Sequence, residues 1–412
     1  MFHEEIASFP RSGRNTGVVL KYLLLPAALL LAAIASLTVF RVPDTMWAWK
    51  LAILAGEFGY WLVLLVVAVA VVAGSVLIGL PRTLTLAFCA VAATGFLRPV
   101  FVARRLASDL PENLRQAFGA EFPPASVFSV KQLYAAMTVA PARMTTEVYA
   151  RPDGNELSLD FYGPAFAKDN AAPARPCIVV IHGGGWDDGD RTQLASWNPR
   201  FVAEGYVVAA IDYRLTPKFI WPAQRDDVLA AVGWLKTNAV RLGIDPTRFV
   251  LLGRSAGGQL ATAVGYGTHD PAIRGVIALY APHDMPFAWS VSREDDALNS
   301  IKLFRQYFGG APDTPERRAL YESASGQLLA RTDSPPTLLI HGVPDTLAWS
   351  RHSERLAQRL QELGVPHYYL KLPWATHGFD FNPNGPGGQL SGYAIETFLS
   401  AVLAPDRPSA RL

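Results

Sequence analysis

The sequence has few cysteines and few charged residues. It has 2 Cys in 412 residues, only 17% of residues are charged, and the net charge is +2. Cys89 lies in an apolar run and Cys177 opens a predicted strand, so we expect no disulfide framework. The absence of a basic tract with interleaved aromatic residues argues against a nucleic-acid partner. No His, Cys or Asp cluster has the spacing of metal ligands, so we expect no metal and no other cofactor.

Long uncharged runs dominate the first 100 residues instead. Leu23–Phe40 and Phe58–Leu80 contain no charged residue, and Thr83–Leu97 is a third, shorter run. As a helix, the second run would be about 34 Å long, enough to cross a bilayer. The sequence therefore predicts a membrane anchor over residues 1–100 with two or three transmembrane helices, and the lipid bilayer as a partner.

Two features of this anchor have alternative interpretations. Ala33-Ile34-Ala35 resembles a signal-peptide cleavage site, but the second long run that follows favours a permanent anchor. Basic residues on both sides of the runs favour a cytoplasmic location for both flanks, which requires an even number of spans. Three spans would place the C-terminal domain outside, and we favour this extracytoplasmic arrangement of a multi-pass protein of the cell membrane.

Residues 101–143 are predicted to form a connector. Val102–Phe122 mixes charged and apolar residues at helical spacing, with Pro111 inside the pattern. Such a helix either lies along the membrane surface or packs on the globular domain.

The remainder, residues 144–412, alternates strand and helix patterns. Met144–Ala150 and Glu156–Tyr162 flank a turn and predict a hairpin. The later strands are continuous apolar runs, typical of a parallel sheet covered on both faces. These strands are predicted at Cys177–Ile181, Val207–Tyr213, Phe249–Leu252, Val276–Tyr280, Thr337–Ile340 and Tyr368–Leu372. Residues 283–332 interrupt the alternation and predict a helical lid.

A possible nucleophile stands between one of these strands and the next helix. Gly253-Arg254-Ser255-Ala256-Gly257 follows an apolar strand and precedes a run of small, helix-compatible residues. Gly-x-Ser-x-Gly in this context places the serine on a sharp turn with its Oγ exposed. Three glycines follow another strand, in His182-Gly183-Gly184-Gly185-Trp186. We expect the N–H groups of Gly183, Gly184 and Ala256 to form an oxyanion hole.

Together with Asp212-Tyr213-Arg214-Leu215, these motifs resemble the α/β-hydrolase superfamily, and within it the hormone-sensitive-lipase-like esterases. The resemblance covers roughly residues 144–404. It implies an α/β-hydrolase fold: a mostly parallel sheet with helices on both faces and a small lid. Arg254 departs from the Asp that many of these esterases carry, which leaves the substrate open.

The family order of Ser, then acid, then His selects the partners of Ser255. Asp345 follows the strand Thr337–Ile340, at the edge of the sheet where a catalytic acid stands. His377 follows the last predicted strand. Asp284 and Asp380 are weaker candidates for the acid, because Asp284 leads into the lid and Asp380 lies too close to His377 in the chain.

The predicted pocket rests on aromatic residues near strand ends. Trp186, Tyr213, Trp221 and Trp374 suggest an apolar acyl or aryl site. The alternative is that such aromatic residues pack the lid onto the sheet.

These features favour a membrane-anchored serine hydrolase that cleaves a small-molecule carboxylic ester through an acyl-enzyme. The sequence leaves open a lipophilic substrate, as it does an amidase, formamidase or peptidase on the same three residues. A hydrolase-like domain used only for binding is a further alternative, which the presence of nucleophile, acid and base disfavours. The oligomeric state has no signal in the sequence.

Overall fold

The computed structural model describes residues 13–119, 126–136, 142–163 and 173–404. Helices alone make up the first of these ranges. From residue 143 onward, strands and helices alternate around one eight-stranded sheet.

Four helices form the N-terminal part. They are α1 (Gly13–Ser36), α2 (Met46–Glu57), α3 (Gly59–Val76) and α4 (Gly79–Phe118). Among the described residues, α3 and α4 are long and apolar enough to cross a membrane, and Lys21–Ser36 is a shorter apolar helix. The predicted run Phe58–Leu80 is divided, because the backbone of Leu77 and Ile78 is extended and separates α3 from α4.

Helix α4 continues across the predicted boundary at residue 100. It passes Pro99 and Pro111, and its second half buries Ala103, Leu110 and Leu114 in a core shared with the sheet. Of the two alternatives for this amphipathic segment, the structure therefore shows packing on the α/β domain for residues 102–118. The rest of the predicted connector contains the short helix α5 (Val130–Leu133), while residues 120–125 and 137–141 lie outside the described ranges.

The sheet has the order β1-β2-β4-β3-β5-β6-β7-β8. Its strands are β1 (Arg143–Ala150), β2 (Leu157–Gly163), β3 (Arg175–Ile181), β4 (Val207–Ile211), β5 (Ile244–Arg254), β6 (Ile273–Leu279), β7 (Thr337–Gly342) and β8 (His367–Leu372). The first two form the expected antiparallel hairpin, β2 also runs antiparallel to β4, and all later pairs are parallel. The parallel strands form between two helical layers, which explains their continuous apolar sequences.

Helices cover both faces of the sheet. They are α6 (Asn198–Ala203), α7 (Ala223–Thr237), α8 (Ala239–Leu242), α9 (Ala256–Gly267), α10 (Met285–Val291), α11 (Ser300–Phe308), α12 (Pro315–Ser323), α13 (Gly326–Leu329), α14 (Arg351–Glu362) and α15 (Pro386–Val402). One face packs against α7, α9 and α14, and the other against α4, α6 and α15. The short helices α10 to α13 occupy the segment predicted as the lid. Between β3 and β4, the helical structure is limited to α6 and one preceding 3-10 turn, Ala195–Trp197.

Candidate active site

The turn between β5 and α9 places Ser255 in a strained conformation. Its φ is 53° and its ψ is −119°, a combination that L-residues rarely adopt. The flanking glycines permit the turn because a Cβ on Gly253 would lie 2.0 Å from the carbonyl oxygen of Gly257. A Cβ on Gly257 would lie 2.2 Å from the carbonyl oxygen of Ile181. The predicted sharp turn therefore requires glycine at both positions, and the strand-turn-helix context is present.

Ser255, His377 and Asp345 form a continuous hydrogen-bonded chain. The distance from Ser255 Oγ to His377 Nε2 is 2.8 Å, and the distance from His377 Nδ1 to Asp345 Oδ2 is also 2.8 Å. Asp345 follows β7 and His377 lies between β8 and α15, so both side chains arrive at the carboxyl edge of the sheet. With Nδ1–H donating to the carboxylate, Nε2 is free to accept the serine proton.

The Asp345 carboxylate has further donors besides His377. His341 Nε2 lies 3.2 Å from Asp345 Oδ2, and the backbone N–H groups of Leu347 and Ala348 donate to Oδ1. Burial by itself would raise the pKa of Asp345, but the two imidazoles outweigh it and lower the pKa to about 2. The carboxylate is therefore charged at neutral pH. Our sequence analysis missed His341, although it stands at the end of β7, four residues before the predicted acid.

Arg254, the departure from the family pattern, forms a buried ion pair. Its Nε lies 2.5 Å from Asp380 Oδ2, and the Tyr280 hydroxyl donates to Asp380 Oδ1 at 2.6 Å. Because Asp380 follows His377 by three residues, the pair joins the turn that carries Ser255 to the loop that carries His377. The Tyr280 ring also contacts the His377 ring, at 4.5 Å between centroids. None of these contacts could be inferred from the spacing of the motifs.

The two rival acids have other partners. Asp380 pairs with Arg254, while Asp284 pairs with Arg355 at 2.6 Å and caps the N-terminus of α10. Within the described ranges, neither carboxylate is hydrogen-bonded to His377. Asp227, another buried carboxylate, forms an ion pair with Arg214 at 2.8 Å.

The oxyanion-hole prediction needs one correction. The N–H of Gly183 donates to the side chain of Gln193 at 2.7 Å, so it is not available to a substrate. The N–H groups of Gly184, Gly185 and Ala256 donate to no acceptor in the described part of the chain. Gly184 and Gly185 have φ values of +112° and +58°, and Gly185 and Ala256 line the cavity beside Ser255. Within the described residues, these three N–H groups are therefore unpaired donors in the two turns beside Ser255.

The cavity beside Ser255 has walls from three parts of the chain. The first is the motif region, which contributes Trp186 and His377. The second wall comes from the lid, which contributes Leu303, and from the connection between β7 and α14, which contributes Trp349. Arg41 and Asp44, in the connection between α1 and α2, supply the third. Arg41 lies 4.9 Å from the Trp349 ring, and Asp44 accepts a hydrogen bond from the Ala297 N–H. Nothing in the local sequence indicated this third wall.

Three of the four aromatic residues predicted to bind substrate do not line this cavity. Tyr213 stacks on His182 at 4.1 Å, and its hydroxyl donates to the His182 carbonyl. Trp221 donates its indole N–H to Ser323 Oγ, and Trp374 donates to Glu57 Oε1. All three are buried with their polar atoms satisfied, so they are packing residues. The bond of Trp221 to Ser323 in α12 agrees with the alternative interpretation, in which aromatic residues pack the lid onto the sheet, whereas Trp374 is bonded to α2. Only Trp186 remains from the predicted set.

Comparisons with known proteins agree with this architecture. The BD-FAE family model matches residues 159–360. Esterase LipQ of Mycobacterium tuberculosis is 27% identical over 270 residues, 63% of this chain and 63% of LipQ. Carboxylesterase NlhH of the same species is 31% identical over 174 residues, 41% of this chain and 51% of NlhH. The chain thus spans less than two thirds of the length of the curated relatives it matches.

Solved structures show the same fold. The esterase LipW from Mycobacterium marinum aligns with a TM-score of 0.54 and 23% identity, covering 74% of this chain and 90% of LipW. A structure titled Bacterial Heroin Esterase aligns with a TM-score of 0.55 and 22% identity. The alignment covers 75% of this chain and 98% of that structure's chain. The part of the chain that begins at β1, here called the hydrolase domain, therefore has the α/β-hydrolase fold, and it resembles the hormone-sensitive-lipase-like esterases.

Proposed function

We propose that this protein is a membrane-anchored serine hydrolase that cleaves carboxylic esters through an acyl-enzyme. The observation that carries the proposal is the chain of two 2.8 Å hydrogen bonds from Ser255 through His377 to Asp345. A serine hydroxyl is a poor nucleophile at neutral pH, and an imidazole held by a carboxylate is the base that activates it. The esterases among the relatives support the same chemistry.

The proposed reaction assigns a group to each step. Ser255 Oγ attacks the ester carbonyl while His377 Nε2 takes its proton, and the negative charge develops beside the N–H groups of Gly184, Gly185 and Ala256. His377 then protonates the leaving alcohol. A water molecule, deprotonated by His377, releases the acid from Ser255. Asp345 remains ionised throughout and stabilises the imidazolium.

The anchor is proposed from the apolar helices. Helices α3 and α4 carry large exposed apolar side chains, such as Leu64 and Val71 in α3 and Val91 in α4, which water would solvate poorly and lipid would solvate well. We propose that α1, α3 and the first half of α4 cross the cell membrane and that the hydrolase domain is extracytoplasmic. Protease added to intact cells should then digest the hydrolase domain; digestion only after lysis would place the domain inside.

The substrate proposal follows from the cavity. Its wall includes the connection between α1 and α2, and exposed Val39 and Phe40 lie directly before Arg41. A lipophilic ester would reach Ser255 along such a surface at the membrane.

The test of the reaction uses the full chain in detergent. A fluorophosphonate probe should label the wild type and should not label Ser255→Ala. Equal labelling of both proteins would end the proposal. A panel of p-nitrophenyl esters, aryl formamides and peptide amides should show hydrolysis of the esters first. Faster cleavage of formamides or amides would assign the same three residues to an amidase instead.

A further inference from the structure

A side chain of helix α2 contacts the backbone of His377, the proposed catalytic base. The indole N–H of Trp49 donates to the carbonyl oxygen of His377 at 2.8 Å. Trp49 also lies 3.8 Å from where a Cβ on Gly378 would be, so the tryptophan ring covers the next peptide as well. The residue that would act as base is thus hydrogen-bonded to a helix more than 300 positions earlier in the chain.

Glu57, at the end of α2, holds both ends of the same loop. Its Oε1 accepts the indole N–H of Trp374 at 3.1 Å, three residues before His377. Its Oε2 accepts the backbone N–H of Gly387, in the first turn of α15, at 2.8 Å. The side chain is 1% exposed, so these bonds form away from water, where they are strong.

Close packing surrounds these bonds. A Cβ on Gly56 would lie 3.4 Å from the Trp374 ring, so the helix approaches the ring edge directly. Asn382 donates to the carbonyl oxygen of Glu57 at 2.9 Å and lies 3.1 Å from the Tyr60 hydroxyl. The loop from residue 373 to residue 385 therefore contacts the N-terminal helices at several positions, from Trp374 to Asn382.

We propose that Trp49 and Glu57 are positioning residues that hold His377 in register with Ser255. The proposal rests on the proposed function, because it concerns the base of that reaction. It makes the N-terminal helices a working part of the active site as well as an anchor. Catalytic geometry tolerates little error, and a displacement of about 1 Å commonly costs about 10²-fold in rate. The hydrolase domain alone supplies Asp345 to orient the imidazole, while α2 supplies the contacts to its backbone.

The experiment compares paired variants of the full chain in detergent. Trp49→Phe keeps an aromatic ring and removes only the indole N–H; Trp47→Phe, on the exposed side of the same helix, is its control. Glu57→Ala removes both oxygen atoms that accept hydrogen bonds from the loop. Glu112→Ala, on the surface of α4, is its control. For each protein, fluorophosphonate gives the fraction of labelled sites at saturation, the rate constant of labelling, and kcat per labelled site.

A positioning role has a distinct signature. Trp49→Phe and Glu57→Ala should lower the labelling rate constant and kcat per labelled site by about tenfold or more, with KM within about twofold of wild type. The two controls should match wild type. Unchanged rates per labelled site would overturn the proposal, even if fewer sites were labelled, because the helix would then only stabilise the fold. A wild-type protein that takes no label would instead refute the proposed reaction itself.

Discussion

The N-terminal helices and the hydrolase domain are built in opposite ways. The helices contact one another through small residues such as Ala28, Ala35 and Ala92. Most of the large apolar side chains that are exposed in the described part of the chain belong to this N-terminal region. The hydrolase domain buries large apolar residues and exposes charges, many of them in surface ion pairs. Close packing through small residues is typical of helices in lipid, where burial of apolar surface provides no driving force. The proposed membrane anchor accounts for this difference between the two regions.

Two buried carboxyl groups sharpen this contrast. Burial raises the pKa of Glu57 to about 8, and the neutral N–H donors of Gly387 and Trp374 only partly oppose the shift. Asp345 is equally buried, yet His377 and His341 lower its pKa to about 2. Neutral donors accommodate a carboxyl group, whereas imidazole partners stabilise its charge. Glu57 is thus suited to holding a loop, and Asp345 to stabilising an imidazolium.

We expect the largest loss of activity from a substitution in the hydrolase domain, at Asp345. Asp345→Asn keeps the size of the side chain but removes the charge and favours the wrong tautomer of His377. We expect kcat to fall by about 10⁴-fold. Asp284→Asn is the matched control, since Asp284 pairs with Arg355, and its turnover should stay near wild type. Equal losses in the two variants would contradict the assignment of the acid.

Substitution of a glycine by alanine should lower kcat in the hydrolase domain, at Gly184, but not in the N-terminal helices, at Gly74. Gly184→Ala would place a Cβ 2.0 Å from the Asp188 carbonyl oxygen at a φ of +112°, so the loop must move and its N–H donors with it. We expect a loss of about 10²–10³-fold in kcat. Gly74→Ala in α3 meets no atom within 4 Å and should leave ester hydrolysis unchanged. Normal turnover by Gly184→Ala would exclude this loop as the oxyanion site.

A lysine on each surface tests which region faces lipid. Val71→Lys in α3 should disfavour insertion by roughly 3 kcal/mol, about 10²-fold, because the charge would lie in hydrocarbon. Val240→Lys replaces a valine that is 100% exposed on the hydrolase domain and should change nothing. The measurement is the fraction of each protein that remains in carbonate-washed membranes. Equal retention of the two variants would contradict a membrane-spanning α3.

The smallest effects should be on how the free energy of unfolding depends on pH. The contributions of Asp345 and Glu57 should change with pH in opposite directions. Asp345 has a lowered pKa in the folded chain, so its contribution of about 2 kcal/mol is present above its unfolded pKa of 3.8 and is lost as pH falls toward 2. Glu57 has a raised pKa, so its contribution is complete below its unfolded value of 4.5 and is lost as pH rises through about 8.

Thermal unfolding in detergent measures both slopes. Asp345→Asn should flatten the acid side of the profile of Tm against pH, and Glu57→Gln should flatten the side between pH 4.5 and 8. Profiles that keep the wild-type shape in both variants would show that other groups dominate.

Local patterns explain why much of the α/β domain was predictable. Each parallel strand is a continuous apolar run, and the pattern around Ser255 specifies a strand, a turn and a helix within a few residues. The order of nucleophile, acid and base that the family resemblance implies then selected Asp345 and His377, each of which follows a predicted strand. The apolar runs likewise indicated the N-terminal helices, although the break after Val76 and the length of α4 depend on backbone geometry that hydropathy does not record.

The sequence by itself therefore determined the alternation of strands and helices, the turn at Ser255 and the identity of the candidate acid and base, because each depends on neighbours in the chain or on strand order. Only the tertiary structure decided that Gln193 occupies the Gly183 N–H, that Arg254 pairs with Asp380, and that three predicted pocket aromatics are packing residues. It alone brought Trp49 and Glu57 to the His377 loop. Such contacts join side chains from distant parts of the chain, and their geometry follows from how whole elements pack, which no local pattern encodes.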